Sequence, residues 1–278
     1  MSAGALACEW LAADGPLSRA LPRFESRPQQ LAMAAAVARA FEQGHHLAVE
    51  AGTGVGKTFA YLVPAIERVL EHKQRVVVST HTIALQEQLV RKDLPTLRDA
   101  LGVPFSFELV KGRHNYLGLR RLKGASMRQN SLFTDKTRLA ALHAIEDWAY
   151  QTTDGSLSDL QPAPPFDVWE KVRSEHDNCL GRRCPTYETC FYQRARRRAE
   201  LANILVVNHA LLVADLVLRR DGANVLPDYD LVVLDEAHTF ESVATDHLGA
   251  TLTNSQIQHL LSGLYNDRTN KGLLAAVG

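Results

Sequence analysis

The stretch that decides the fold is Leu47-Ala48-Val49-Glu50-Ala51-Gly52-Thr53-Gly54-Val55-Gly56-Lys57-Thr58. LAVEA (47–51) is a short apolar run, the next residues are rich in glycine, and Lys57 to His72 carries apolar residues at helical spacing. A strand, a glycine turn and a helix in that order predict a phosphate-cradling loop of the pattern G-x-x-x-x-G-K-[ST], with Ala51 where the pattern has its first glycine. Gly52, Thr53, Gly54, Val55 and Gly56 would wrap an anion with backbone N–H groups at a helix N-terminus. Lys57 would reach the β- and γ-phosphates of a nucleotide, and the Thr58 hydroxyl would hold Mg²⁺.

Working outward, three more apolar runs alternate with helical patterns: RVVVST (75–80), ILVVNHA (204–210) and LVVLDEA (231–237). Near-continuous apolar strands of this kind suit a parallel sheet covered on both faces, so the fold class expected is α/β. Thr82 to Asp93 reads as a further helix, and the last run ends in Asp235-Glu236-Ala237-His238. An acid at the carboxyl end of a strand lies where open α/β sheets bind ligands. Asp235 would complete the Mg²⁺ shell, and Glu236 would orient or deprotonate an attacking water. Upstream, Arg27-Pro-Gln-Gln30 precedes an Ala-rich helix, and the Gln30 amide could pair with an adenine edge.

Residues 113–200 break the alternation and are expected to form an insertion. They contain a helix over 137–150, a Pro/Gly/Ser-rich connector over 152–165, and three cysteines, Cys179, Cys184 and Cys190. Four cysteines in 278 residues are too few for a disulfide scaffold, and three so close together point to metal chemistry in a reducing compartment. The charges cancel, 31 Lys+Arg against 31 Asp+Glu, which excludes a uniformly basic coat protein. They are not evenly spread. Residues 111–128 carry six basic residues and no acid, 171–198 carry eight against three, and 228–247 carry six acids with no Lys or Arg. Two basic windows around a cysteine cluster suit a nucleic-acid surface. No run is apolar enough to cross a bilayer, and the first residues lack the charged segment of a secretory signal, so the expected location is cytoplasmic.

In order along the chain, RPQQ, AGTGVGKT, STHTIALQEQL, KGRHNYL, the clustered cysteines, VVNHALL and VLDEAH together resemble the DinG/XPD group of superfamily 2 helicases, most closely the DinG and YoaA branch. The resemblance covers about residues 24–249. It implies a RecA-like motor domain that couples ATP hydrolysis to 5′ to 3′ movement on single-stranded or forked DNA, with repair as the setting. It also implies an iron–sulfur insertion. Arg27 and Gln30 then match the adenine-reading motif. His238 would relay nucleotide state, and Thr80, His81, Thr82 and Gln86 match the segment lying along the DNA backbone. Arg113, Arg120 and Arg121, in the first basic window, are candidate DNA contacts.

Cys179, Cys184 and Cys190 match three of the family's cluster ligands, but Gly118 stands where the first is expected. A cubane 4Fe-4S cluster takes four thiolates. The alternatives are a fourth ligand other than a nearby cysteine (water, His114 or the distant Cys8), a three-iron cluster, a Cys₃His zinc site, or no metal. The domain reading is an extension (1–23), a first motor segment (24–112), the insertion (113–200), a second motor segment (201–248) and the start of a cut-off arch insertion (249–278). The stretch after Glu236 is too short for the second RecA-like domain that a motor needs as partner. The chain therefore reads as the N-terminal half of an ATP-dependent DNA helicase, weakly active or inactive by itself. The other reading is a non-motor module that binds nucleotide and DNA in a regulatory or redox-sensing role.

Overall fold

The computed structural model describes residues 4–22, 24–133, 135–249, 253–265 and 274. Four parallel strands form one sheet: β1 (Val76–Thr80), β2 (Phe107–Leu109), β3 (Ile204–Asn208) and β4 (Leu231–Leu234), in the order β2-β3-β1-β4. β1 is buried along its whole length, as expected of three consecutive valines between two partners. Its Val76 stands opposite Ile204 of β3 and Leu231 of β4.

The helices in chain order are α1 (Ala5–Leu11), α2 (Pro16–Ala20), α3 (Pro28–Gln43), α4 (Lys57–His72), α5 (Ile83–Gln88), α6 (Leu94–Leu101), α7 (Leu119–Met127), α8 (Gln129–Leu132), α9 (Lys136–Gln151), α10 (Phe166–Val172), α11 (Phe191–Leu201), α12 (His209–Arg220), α13 (Phe240–Leu248) and α14 (Asn254–Leu264). One apolar core joins α1, α2, α3, α4 and α6 to one face of the sheet through Leu62, Ile66, Val76, Val78, Leu97 and Val206. The other face, with Val77, Leu205 and Val207, packs on α12 through Leu211 and Leu212. Among the described residues no helix is long and apolar enough to cross a membrane.

Three expectations change. LAVEA (47–51) forms no strand and pairs with none among the described residues, and Leu47 and Val49 are exposed. A cavity of 880 Å³ separates it from β4, whose Val232 and Leu234 are exposed as well. Without a ladder partner, an apolar run has nothing to fix it as a strand. The helix expected over 82–93 is divided: after α5 the chain makes one π-helical turn, Leu89–Asp93, before α6. β2, which no apolar run announces in the sequence, adds a three-residue edge to β3.

From Val110 to Asn203 the chain leaves the sheet and builds a second apolar core of its own. Tyr116, Leu117, Leu142, Ile145, Val168 and Trp169 fill it, and α9 supplies the helix expected there. Half of the arch expected over 249–278 falls outside the described residues, among which α14 is its one α-helix.

Candidate functional site

The phosphate loop bends as its glycines require. Gly54 and Gly56 take φ of 81° and 86°, a region costly for side-chain-bearing residues, and α4 begins immediately afterwards at Lys57. At Gly56 a Cβ would lie 2.2 Å from the Gln30 amide nitrogen, so this position admits glycine alone on two counts. At Gly52 and Gly54 an added Cβ would meet open space, leaving the loop's concave side free for an anion.

Gln30 and Arg27 hold this loop from behind. The buried Gln30 amide donates to the Gly56 carbonyl at 3.0 Å, and the Arg27 guanidinium donates to the Gly54 carbonyl. Both residues expected to read adenine therefore grip the loop backbone here, while the Gln30 carbonyl oxygen is buried with no partner among the described residues.

Across the loop stands the carboxyl end of β4. Lys57 Nζ lies 3.4 Å from Glu236 Oε1, joining motifs that are 179 residues apart. Glu236 adopts φ 55°, a left-handed conformation that turns its carboxylate toward the lysine at the cost of backbone strain. Asp235 is half-buried, and desolvation raises its pKa; the Tyr61 hydroxyl donates to its Oδ2 at 3.2 Å and partly offsets that. Lys57 pairs with Glu236 rather than with Asp235, so among the described residues Asp235 has no bonded cation. An under-compensated carboxylate that shares the Tyr61 hydroxyl with Thr58 fits a divalent cation. His238 is mostly exposed, with Nδ1 3.5 Å from Glu236 Oε2.

Tyr61 escapes a reading of the sequence. Its signal is the i, i+4 step from Lys57, which places both on the same face of α4. Its hydroxyl is held un-ionised, chiefly by burial and then by the Asp235 charge.

The residues expected along a DNA strand separate into two groups. His81 and Thr82 are exposed at the carboxyl end of β1, where Thr82 Oγ1 caps α5 by accepting from the Leu85 N–H. Thr80 and Gln86 are buried, so as placed they offer no surface to a strand. Arg113, Arg120 and Arg121 are also turned inward. Arg113 lies over the Tyr192 ring at 4.2 Å and donates to the Glu175 carbonyl. Arg120 donates to the Asn178 carbonyl, and Arg121 bonds the Glu175 carboxylate and the carbonyls of Glu170 and Lys171. They clamp α7 to the cysteine loop.

The cysteine loop does not fit a four-thiolate cluster. Among the described residues no three His, Cys, Asp or Glu side chains converge on a metal position. Cys179 Sγ accepts from the Gly181 N–H, Cys184 Sγ contacts the Thr186 hydroxyl, and Cys190 occupies the N-cap position of α11 with its side chain packed against the insertion's core and making no cap bond. A Cβ at Gly118 would come within 3.1 Å of the Val172 carbonyl oxygen, so backbone crowds the place where a fourth thiolate would start. Cys8 sits in α1 within reach of the Glu67 charge, on the sheet side of the molecule, and His114 is exposed, its backbone carbonyl accepting from the Trp169 indole N–H.

Two family models and several known proteins are similar to this chain. Residues 27–153 match the model of the DEAD/DEAH box helicase family and 175–257 match that of DEAD_2. The chain is 41% identical to the ATP-dependent DNA helicase YoaA of Escherichia coli (strain K12), over 90% of this chain and 38% of the relative. It is 44% identical to the ATP-dependent helicase DinG of Mycobacterium tuberculosis (strain H37Rv), over 83% and 37%. With the 3′-5′ exonuclease DinG of Bacillus subtilis (strain 168) the identity is 30%, over 88% and 26%. The chain thus spans less than two-fifths of the length of each of these relatives.

Proposed function

The chain belongs to the DEAD/DEAH-box helicases, in the DinG/YoaA-like group, and from that premise we propose that it is the nucleotide-binding motor half of an ATP-dependent DNA helicase. In this reading it binds ATP with Mg²⁺ and works on single-stranded or forked DNA against a second RecA-like domain. Movement 5′ to 3′ and a place in DNA repair are what the resemblance to the DinG/XPD group adds.

The observation that carries the proposal is the meeting of Lys57 with Glu236, with Asp235 alongside under the Tyr61 hydroxyl. As placed, Lys57 pairs with Glu236. To reach the β- and γ-phosphates its ammonium must leave that carboxylate, which frees Glu236 to accept a proton from an attacking water. Thr58 and Asp235 would hold Mg²⁺, which would supply Lewis-acid polarisation of the phosphate oxygens. The N–H groups of 52–57 and the start of α4 supply fixed positive potential without reorganisation. Arg27 and Gln30 keep the loop in shape for this, and nucleotide could draw the unpartnered Gln30 oxygen into use. Efficient turnover also needs an arginine from a second domain, so this half by itself is expected to bind nucleotide and hydrolyse it poorly. No step of this reading passes through the cysteine loop.

The test is fluorescence titration with a labelled ATP analogue in Mg²⁺, together with a phosphate-release assay on single-stranded DNA. Expected are saturable, Mg²⁺-dependent binding weakened at least about tenfold by Lys57→Ala, a loss of roughly 1.4 kcal/mol or more, and little DNA-stimulated turnover. Binding indifferent to Lys57→Ala would refute the site, and fast turnover abolished by that change would refute the dependence on a second domain.

A further inference from the structure

One buried histidine is used by none of these steps. His209 opens α12 directly after its cap Asn208, whose Oδ1 accepts from the Leu211 N–H at 2.8 Å. The residue is 1% exposed. Its Nδ1 lies 2.7 Å from Ser79 Oγ on β1, and its Nε2 has no hydrogen-bond partner among the described residues. Both ring nitrogens of an imidazole are strong polar atoms, and leaving one unpaired in the interior is unfavourable whichever tautomer is present.

The surroundings make the unpaired Nε2 informative. Ser79, which holds Nδ1, also accepts the Asp235 N–H on its backbone carbonyl at 2.8 Å. Burial lowers the His209 pKa, and backbone groups of Glu236 and Asp235 within loose hydrogen-bonding reach of the ring pull it partly back, so the ring stands against the turn that carries the hydrolytic acids. Phe240, two residues beyond His238, meets the ring edge-on at 5.4 Å. His81, in the exposed segment after β1, has its own ring 6.3 Å away. One side chain thus touches the strand beside Asp235, the helix after His238 and the segment 80–82.

We propose that His209 is a positioning residue that couples the Asp235–Glu236 turn to the 80–82 segment, its Nε2 lying against the backbone of that turn without a well-formed hydrogen bond and closing one when nucleotide draws the turn in. The proposal rests on the reading of 52–58 and 235–236 as an ATP site and of 81–82 as a DNA contact. A ring nitrogen without a well-formed bond beside the turn gives nucleotide binding a contact to complete. Because the same ring neighbours His81, the shift reaches the DNA side, and by reciprocity DNA must then alter nucleotide affinity by the same factor.

The experiment measures the affinity of the 278-residue chain for a non-hydrolysable ATP analogue with Mg²⁺, with and without saturating oligo(dT), and the reverse. Thermal melting without ligand accompanies it. The wild-type chain is expected to show coupling of about fivefold or more. His209→Phe keeps the contact with Phe240 and removes both nitrogens. It should bring the coupling close to one, leave oligo(dT) affinity in the absence of nucleotide unchanged, and leave the melting temperature unchanged or higher. His209→Gln, which carries a polar atom to the Nε2 position, should restore part of the coupling. Coupling that survives in His209→Phe overturns the proposal. So does loss of coupling that comes with a lower melting temperature and is not rescued by glutamine, which would make the residue merely structural. A wild-type chain that binds both ligands without coupling also overturns it, whereas one that binds neither overturns the functional reading on which it rests.

Discussion

Asp93 shows at single-residue scale what burial does to a charge. It closes the π-helical turn, is nearly fully buried, and accepts one hydrogen bond, from the Gln88 amide at 3.1 Å. Desolvation raises its pKa above the usual carboxylate value and outweighs that bond. The folded chain therefore holds this proton more tightly than the unfolded chain. The contribution to stability is complete below the unfolded value, about pH 4, and is lost as pH rises through the raised folded value. Asp93→Asn, which keeps the shape and can keep the Gln88 contact, is expected to stabilise the chain at about pH 7 and to lose that advantage near about pH 3. Urea titrations at the two pH values check it; equal effects at both would mean that the charge is not what matters. Lys57 and Glu236, by contrast, are legible as letters, because phosphate chemistry admits few alternatives at those places in the pattern. Tyr61 and Ser79 are not, since what recruits them is an acid or a ring brought close by the sheet.

Among the elements, β1, β3 and β4 and helices α4 and α9 can be read from the sequence because each carries its own burial pattern. Val76–Val78 and Ile204–Val207 are fully buried in a sheet covered on both faces, and their apolar runs say so directly. LAVEA carries the same signal but lies across an 880 Å³ cavity from β4, showing that a strand's existence depends on a neighbour its own letters do not specify. β2 is illegible for the opposite reason: in Phe107-Glu108-Leu109 the middle side chain is an acid bonded to Arg198 at 2.8 Å, which only the insertion's return brings there. That insertion is held by Trp169, Leu142, Ile145 and Val172 rather than by its cysteines. Metal removal is therefore expected to leave it folded. Protein purified without oxygen and then treated with a strong chelator should keep its far-UV circular dichroism and its melting temperature within about 2 °C, less than the shift expected from roughly 1 kcal/mol in a chain of this size. Iron and sulfide near about four per chain, with a large fall in melting temperature on chelation, would show that a cluster organises the insertion despite Gly118.

At the scale of the whole molecule, the two basic windows are less available than their composition suggests. Of their fourteen cations, Lys111 is tied to Asp154, Ser156 and Ser158, and Arg198 to Glu108 and Asp154. Arg113, Arg120, Arg121 and Arg173 fasten the cysteine loop. Lys123, Arg128, Arg182, Arg183 and Arg194 are exposed and have no acidic partner among the described residues. Much of the positive charge of these windows is thus engaged in internal pairs, and the positive surface they leave for a phosphate backbone is a handful of side chains on the insertion. Each phosphate neutralised on a single strand contributes about −0.7 to the slope of log K against log salt, so about five contacts give roughly −3 to −4, whereas full use of both windows would give about −10. Oligo(dT) binding measured from about 50 to 300 mM salt is expected to follow the shallower line, and Arg182→Ala with Arg183→Ala should reduce it by about 1.4. A slope near about −10 would mean that the paired arginines are released on binding and that the insertion rearranges to meet DNA. A slope near zero would place the DNA path on His81 and Thr82 alone, away from the insertion's positive face.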